Sequence, residues 1–220
     1  MKLKLFTTST LMVGVLSFSG VIAYRHELLG GPTPIPSEEV LTAQVSNVTA
    51  TRLTPLEEAL QNPKKFTPLP PEQIDTETLW LARVIFSETK RADEQALVAW
   101  VVRNRVDTRY RGKHSYQSVI LDPYQFSAFR PGEEKGQYYA GLTRYSRVPG
   151  WQTALKIAHA VRTTEETHRP FSSKTRHFYS QRSMSGTAAP SWARGIVPVE
   201  IEYTSIEIDE RRFRFYEDIS

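Results

Sequence analysis

Glu88 stands where a carboxylic acid can keep its proton near neutral pH. Leu81, Val84, Ile85 and Glu88 recur at i, i+3, i+4 and i+7, which places them on one face of a helix. A carboxylate that closes an apolar stripe loses part of its hydration, and that loss disfavours the charged form and raises the pKa. A protonated carboxyl beside apolar walls is what a glycosidase uses to protonate a leaving oxygen. The same spacing also fits a glutamate that turns to water in the last turn of a helix, so spacing alone leaves both readings open. Asn104 closes a second stripe, with Leu97, Trp100 and Val101. A buried amide must find hydrogen-bond partners, so the expected role of Asn104 is structural support that ties down a neighbouring loop.

Other chemistries find little footing. His159, His168 and His177 are spaced nine apart, with no H-E-x-x-H and no clustered carboxylates. No serine lies in a G-x-S-x-G elbow, and no glycine-rich phosphate loop is present. The absence of cysteine excludes disulfides, thiolate metal sites and a cysteine nucleophile. The expectation is therefore no metal and no cofactor. Aromatic residues are more suggestive. Tyr124, Phe126, Phe129, Tyr138, Tyr139, Tyr145, Phe178, Tyr179 and Trp192 fall mostly in loops or at loop edges, where sugar rings can stack on them. Most such rings in any protein simply pack.

The elements that must position these residues can be read from pattern. Asp75 is the expected N-cap of a first helix carrying Leu79 to Phe86, and Asp93 that of a second, running to about Val106. A short apolar turn is expected at Val119–Leu121, then the segment Tyr124–Phe129, then a long exposed loop from Gly132 to Gly150. Trp151 to about Thr163 is a third amphipathic helix. His177–Tyr179, Val199–Ile208 and Arg211–Tyr216 read as strands, the last two as a hairpin about Asp209–Glu210. Helices first and a small antiparallel sheet toward the C-terminus make an α+β pattern.

With 220 residues, the chain suits one domain plus accessory sequence. Lys2 and Lys4 precede an apolar run over residues 5–24, the form of an export signal. Val21 and Ala23 would suit cleavage after Ala23; left uncleaved, the run approaches the ~20 residues that span a bilayer. Residues 1–24 are thus a signal peptide or a membrane anchor, which puts the chain in the periplasm or cell envelope. Eight of the 14 prolines fall between Gly30 and Glu72, with one short helical possibility at Leu56–Leu60. Residues 25–73 are expected to be a Pro-rich linker, and residues 74–220 the folded domain. Six basic and six acidic residues precede Ile74, so the whole net charge of +4 belongs to that domain. Without a Lys/Arg block interleaved with aromatics, nucleic acid is not an expected partner.

Four segments, in order, resemble the SleB/CwlJ family of cell-wall hydrolases. Leu81-Ala82-Arg83-Val84-Ile85-Phe86-Ser87-Glu88 is similar to the family's helix ending in its catalytic Glu. Glu94 through Val106, ending Asn104-Arg105-Val106, is similar to its Asn-Arg-Val helix. Tyr124-Gln125-Phe126-Ser127-Ala128-Phe129 resembles its Gln-Phe-Ser segment. His177-Phe178-Tyr179 with Pro190-Ser191-Trp192-Ala193 resembles its Phe-Tyr and Pro-x-Trp-Ala pair. The chain departs from the family at Glu88-Thr89-Lys90-Arg91-Ala92-Asp93, where a Gly-rich turn is usual, and at Phe213, which fills a slot often held by His.

The resemblance implies a lysozyme-like domain that cuts peptidoglycan glycan strands as a lytic transglycosylase, between N-acetylmuramic acid and N-acetylglucosamine. Glu88 would be the acid/base, and Gln125, Phe126, Ser127, Tyr179 and Trp192 would contact substrate. Alternatives are a muramidase that uses water, with Asp93, Asp107 or Asp122 as a second carboxylate, and a catalytically silent peptidoglycan-binding scaffold.

Overall fold

The computed structural model describes residues 55–220, less 64, 66, 185–188, 202–208, 210 and 220. The chain divides into two units, 1–50 and 51–220, and every described residue belongs to the second. That unit is α+β. Its elements are α1 (Pro55–Gln61), α2 (Thr76–Glu88), α3 (Ala92–Asp107), α4 (Tyr116–Ile120), α5 (Glu134–Ala140), α6 (Trp151–Thr163), β1 (Thr175–Tyr179) and β2 (Arg214–Glu217).

Helices α2, α3 and α6 pack against one another around the core. Leu81, Val84 and Ile85 of α2, Leu97, Trp100 and Val101 of α3, and Trp151, Leu155 and Ile157 of α6 are all buried there. Each such side chain stabilises the fold by roughly 1.5–3 kcal/mol through lost apolar surface. Asp75 caps α2 as expected, its carboxylate accepting from the Thr78 amide at 2.7 Å. At the start of α3 the sequence reading needs correction. The helix begins at Ala92 with Arg91 as cap residue, and Asp93 lies inside the first turn. There Asp93 favours the positive end of the helix dipole and pairs with Arg91 at 2.8 Å, while the Thr89 hydroxyl accepts from the Arg91 amide at 3.2 Å.

The stretch from Gly132 to Gly150 is not all loop. It contains α5, which rests on the 3₁₀ turn Ser127–Phe129 through Gly136. A Cβ at Gly136 would lie 2.8 Å from the Ala128 carbonyl oxygen, so only glycine lets the two backbones meet. In the Pro-rich stretch the short helical possibility at Leu56–Leu60 is present as α1. Leu56 and Ala59 of α1 are buried against the core, and Glu58 meets Lys156 of α6 at 2.8 Å. The folded unit therefore starts well before Ile74.

β1 pairs with β2 antiparallel, with His177 opposite Tyr216, Phe178 opposite Phe215 and Tyr179 opposite Arg214. A bulge falls between Thr175 and His177. Val199–Ile201 is not strand; it makes a single backbone bond to β2, from the Val199 amide to the Phe215 carbonyl at 2.9 Å. The rest of that expected strand and its hairpin turn at Glu210 lie outside the described residues, as do the apolar run at 5–24 and most of the linker. Among the described residues no helix is long and apolar enough to cross a membrane.

Candidate active site

Glu88 is the last residue of α2, where the apolar stripe of that helix runs out. Its side chain is partly covered, but Oε1 is buried and has no hydrogen-bond partner among the described residues. The burial of that oxygen governs the proton. It raises the Glu88 carboxyl from 4.5 to about 7, while the nearby positive charge of Arg105 pulls in the opposite direction. The negative end of the α2 dipole also disfavours a carboxylate there. At neutral pH Glu88 is thus divided between acid and base, the balance that lets one group do both jobs.

Arg105, near the end of α3, is only 4% exposed. Its Nε donates to the Arg176 carbonyl of β1 at 2.7 Å, and its guanidinium lies 5.1 Å from the Phe126 ring centre and 5.6 Å from that of Tyr110. Nη1 is buried with no hydrogen-bond partner among the described residues. Burial lowers its pKa to about 10, which leaves it charged at neutral pH. The next residue inward, Asn104, joins α3 to the loop before β1 and to β1 itself: Nδ2 donates to the Ser172 carbonyl at 3.0 Å and the Thr175 carbonyl at 2.8 Å.

A wall of rings continues from this cation. The Tyr110 hydroxyl lies 3.0 Å from His177 Nε2, and the His177 ring is 5.5 Å from that of Trp192. Trp192 meets Tyr179 edge-on at 5.9 Å, and Tyr179 stacks on Tyr216 at 5.8 Å. Burial, with Arg105 and Arg176 nearby, lowers His177 to about 4, so its ring is neutral near pH 7. The register shift before His177 breaks the strict alternation of β1. From α5, Tyr139 approaches the same end of α2. Its hydroxyl pKa is raised by burial and by the charges of Tyr138 and Glu88.

The expected substrate residues fall into two groups. Trp192 is half-buried on the ring wall, and Gln125, also half-buried, borders a gap too small for water between it, Arg105, Tyr110 and Asp122. Ser127 is exposed at the start of its 3₁₀ turn. Phe126 differs from expectation. It is 2% exposed and packs beneath Arg105 and Phe178, so it supports the site and does not face a ligand. Tyr179 is also largely buried and offers at most an edge.

Sequence pattern did not single out Arg105, Tyr110 or His177 as site residues, and Tyr139 only as one of many rings on which a sugar can stack. Arg105 and His177 lie inside the quoted segments, but a charge at the end of an apolar run reads as solvent-facing. Only the fold shows that a carbonyl from β1 and the rings of Phe126 and Tyr110 lie against Arg105. The carboxylates considered as a second catalytic group are all engaged. Asp122 pairs with Arg111 at 2.6 Å, Asp107 with Arg169 at 3.0 Å, and Asp93 with Arg91. Among the described residues no three His, Asp or Glu side chains converge as metal ligands would. No family model, curated protein or solved structure matches the chain.

Proposed function

We propose that the protein is an exported lytic transglycosylase that cuts the glycan backbone of peptidoglycan, with Glu88 as its single acid/base. The observation that carries this reading is the Glu88 carboxyl, bare at Oε1 and held near pH 7 by burial. The four-segment resemblance to SleB/CwlJ enzymes supplies the substrate class.

In the first step protonated Glu88 gives its proton to the glycosidic oxygen, and the bond from that oxygen to C1 of N-acetylmuramic acid breaks. Glu88, now a carboxylate, takes the proton of the same sugar's C6 hydroxyl as O6 bonds to C1. The product is a 1,6-anhydro end, and Glu88 regains its starting proton without water. Arg105 eases the interval in which Glu88 is charged, because a nearby cation favours the carboxylate. Hydrolysis by inversion or retention calls for a second carboxylate across the cleft. The ion pairs that hold Asp93, Asp107 and Asp122 favour the one-carboxylate route. Trp192 offers a ring face for a sugar, and Gln125 and Ser127 offer polar groups for its hydroxyls and amides.

The test is digestion of purified sacculi followed by mass analysis of the released fragments. Anhydro-muropeptides from the wild type, absent with Glu88→Gln, are the expected result. Reducing ends would replace the transglycosylase with a water-using muramidase. No release by a folded protein that still binds sacculi would point to a binding scaffold.

A further inference from the structure

The segment that follows Glu88 carries a buried carboxylate that the proposed chemistry does not use. Glu94, in the first turn of α3, is 3% exposed. Its Oε2 accepts from the Thr89 hydroxyl and from Arg212 Nη2, the latter at 3.1 Å. Its Oε1 accepts from Arg212 Nε and lies 3.3 Å from Arg91 Nε. Thr89 is the residue immediately after Glu88, and it is bound a second time: its carbonyl accepts from the buried Gln95 amide at 2.8 Å. Arg212 comes from the segment leading into β2, where its own amide donates to the Asp209 carbonyl at 2.7 Å.

The two glutamates near this helix end thus have opposite surroundings. Glu88 keeps an oxygen bare, whereas both oxygens of Glu94 are occupied by donors from three different residues. A carboxylate filled in this way has no open lone pair for a sugar. It can, however, fix the place of whatever it holds, since charge-assisted and bidentate contacts are the stronger and more directional kind.

We propose that Glu94 is a positioning residue for Glu88, acting through the Thr89 hydroxyl and locked in place by Arg212. A helix end frays unless its last groups are held. Here the residue after the last turn is held by a side chain of the next helix, which is braced in turn by the C-terminal segment. Releasing Thr89 lets the end of α2 open, and water then reaches the Glu88 carboxyl. Arg105 from α3, Tyr139 from α5, and Lys90, whose ammonium donates to the Phe86 carbonyl, also stand near this end of α2. None of them is altered by the variants below.

The role rests on Glu88 being the acid, but its test does not need substrate. Glu88 is titrated by carboxyl 13C NMR in the full chain, with its signal assigned from Glu88→Gln. Thr89→Val removes one hydroxyl and no charge, and Glu94 keeps its arginines. The expected result is a midpoint for Glu88 at least one pH unit below that of the wild type, moving toward the ordinary carboxylate value. Glu94→Gln should shift it the same way, and Asp93→Asn, which removes a charge from the same turn, should not. An unchanged midpoint in Thr89→Val overturns the proposal, whether or not Glu94→Gln folds. So does a shift in Asp93→Asn as large as that in Glu94→Gln, since charge alone would then account for it. In sacculi digestion the matching sign is a kcat reduced about tenfold with KM unchanged, and a pH optimum moved down. A wild type that cuts no sacculi would sink the transglycosylase reading while leaving the titration result to stand on its own.

Discussion

Replacing Glu88 with Gln should make the protein more stable at alkaline pH and leave it nearly unchanged at acid pH. Burial raises the Glu88 carboxyl from 4.5 to about 7 in the folded state. Below pH 4.5 the folded and unfolded chains both carry the proton, and the group contributes nothing to the pH dependence. Between 4.5 and 7 the unfolded chain releases its proton while the folded chain holds on, so stability falls as pH rises, by about 1.4 kcal/mol per unit. Above 7 both states are ionised and the penalty is constant, at about 3 kcal/mol. Gln cannot ionise, so the variant escapes the whole of it. The assay is urea unfolding of both proteins at pH 4 and pH 8, with the difference between them isolating Glu88 from every other titrating group. A gain of about 2–3 kcal/mol that appears only at pH 8 is expected. Equal differences at the two pH values would refute the burial argument, with no reference to activity.

Three further outcomes follow from the same geometry. Arg105→Met removes the cation that opposes burial at Glu88, so the Glu88 midpoint should rise above that of the wild type by NMR titration. Asn104→Ala deletes two hydrogen bonds to carbonyls at and before β1 and should cost about 1–3 kcal/mol in urea unfolding. A chain that starts at Ile74 loses the buried Leu56 and Ala59 and the Glu58 partner of Lys156. It should unfold about 3 kcal/mol more easily than one that starts at Thr51, chiefly from the apolar surface left uncovered.

What was legible in the sequence was whatever local pattern decides. The α2 stripe ends on Glu88, α6 carries its apolar residues at helical spacing, and Asp75 marks a start that its own side chain completes. The misses have tertiary causes. Glu134-Lys135-Gly136-Gln137 shows no apolar stripe, and α5 exists because Gly136 admits the Ala128 backbone and Tyr139 packs on Phe86 and Phe129. The short helical possibility at Leu56–Leu60 is α1, but its docking on α3 and α6, far along the chain, leaves no local signal. Asp93 looked like a cap because its residue type prefers that position, yet α3 begins one residue before it, with Arg91 as cap residue and no side-chain cap bond. Glu88 could be singled out from its stripe, but the burial of Arg105 depends on β1, 71 positions away, and on Tyr110.

The contact between Glu94 and Arg212 spans 118 positions of chain. Contacts of such separation form late, because the loop they close must lose its freedom first. As the chain folds, α2 and α3 can pair through short-range contacts, with Glu88 already at its helix end. The arginine that braces Glu94 joins them only when the segment at 212 closes onto the start of α3. On the proposed roles, the acid comes under full control only when that closure is made, so a chain folded short of it would carry the catalytic residue without its working geometry. An enzyme that cuts the wall around its own cell would in this way be restrained by the order in which its parts fold together.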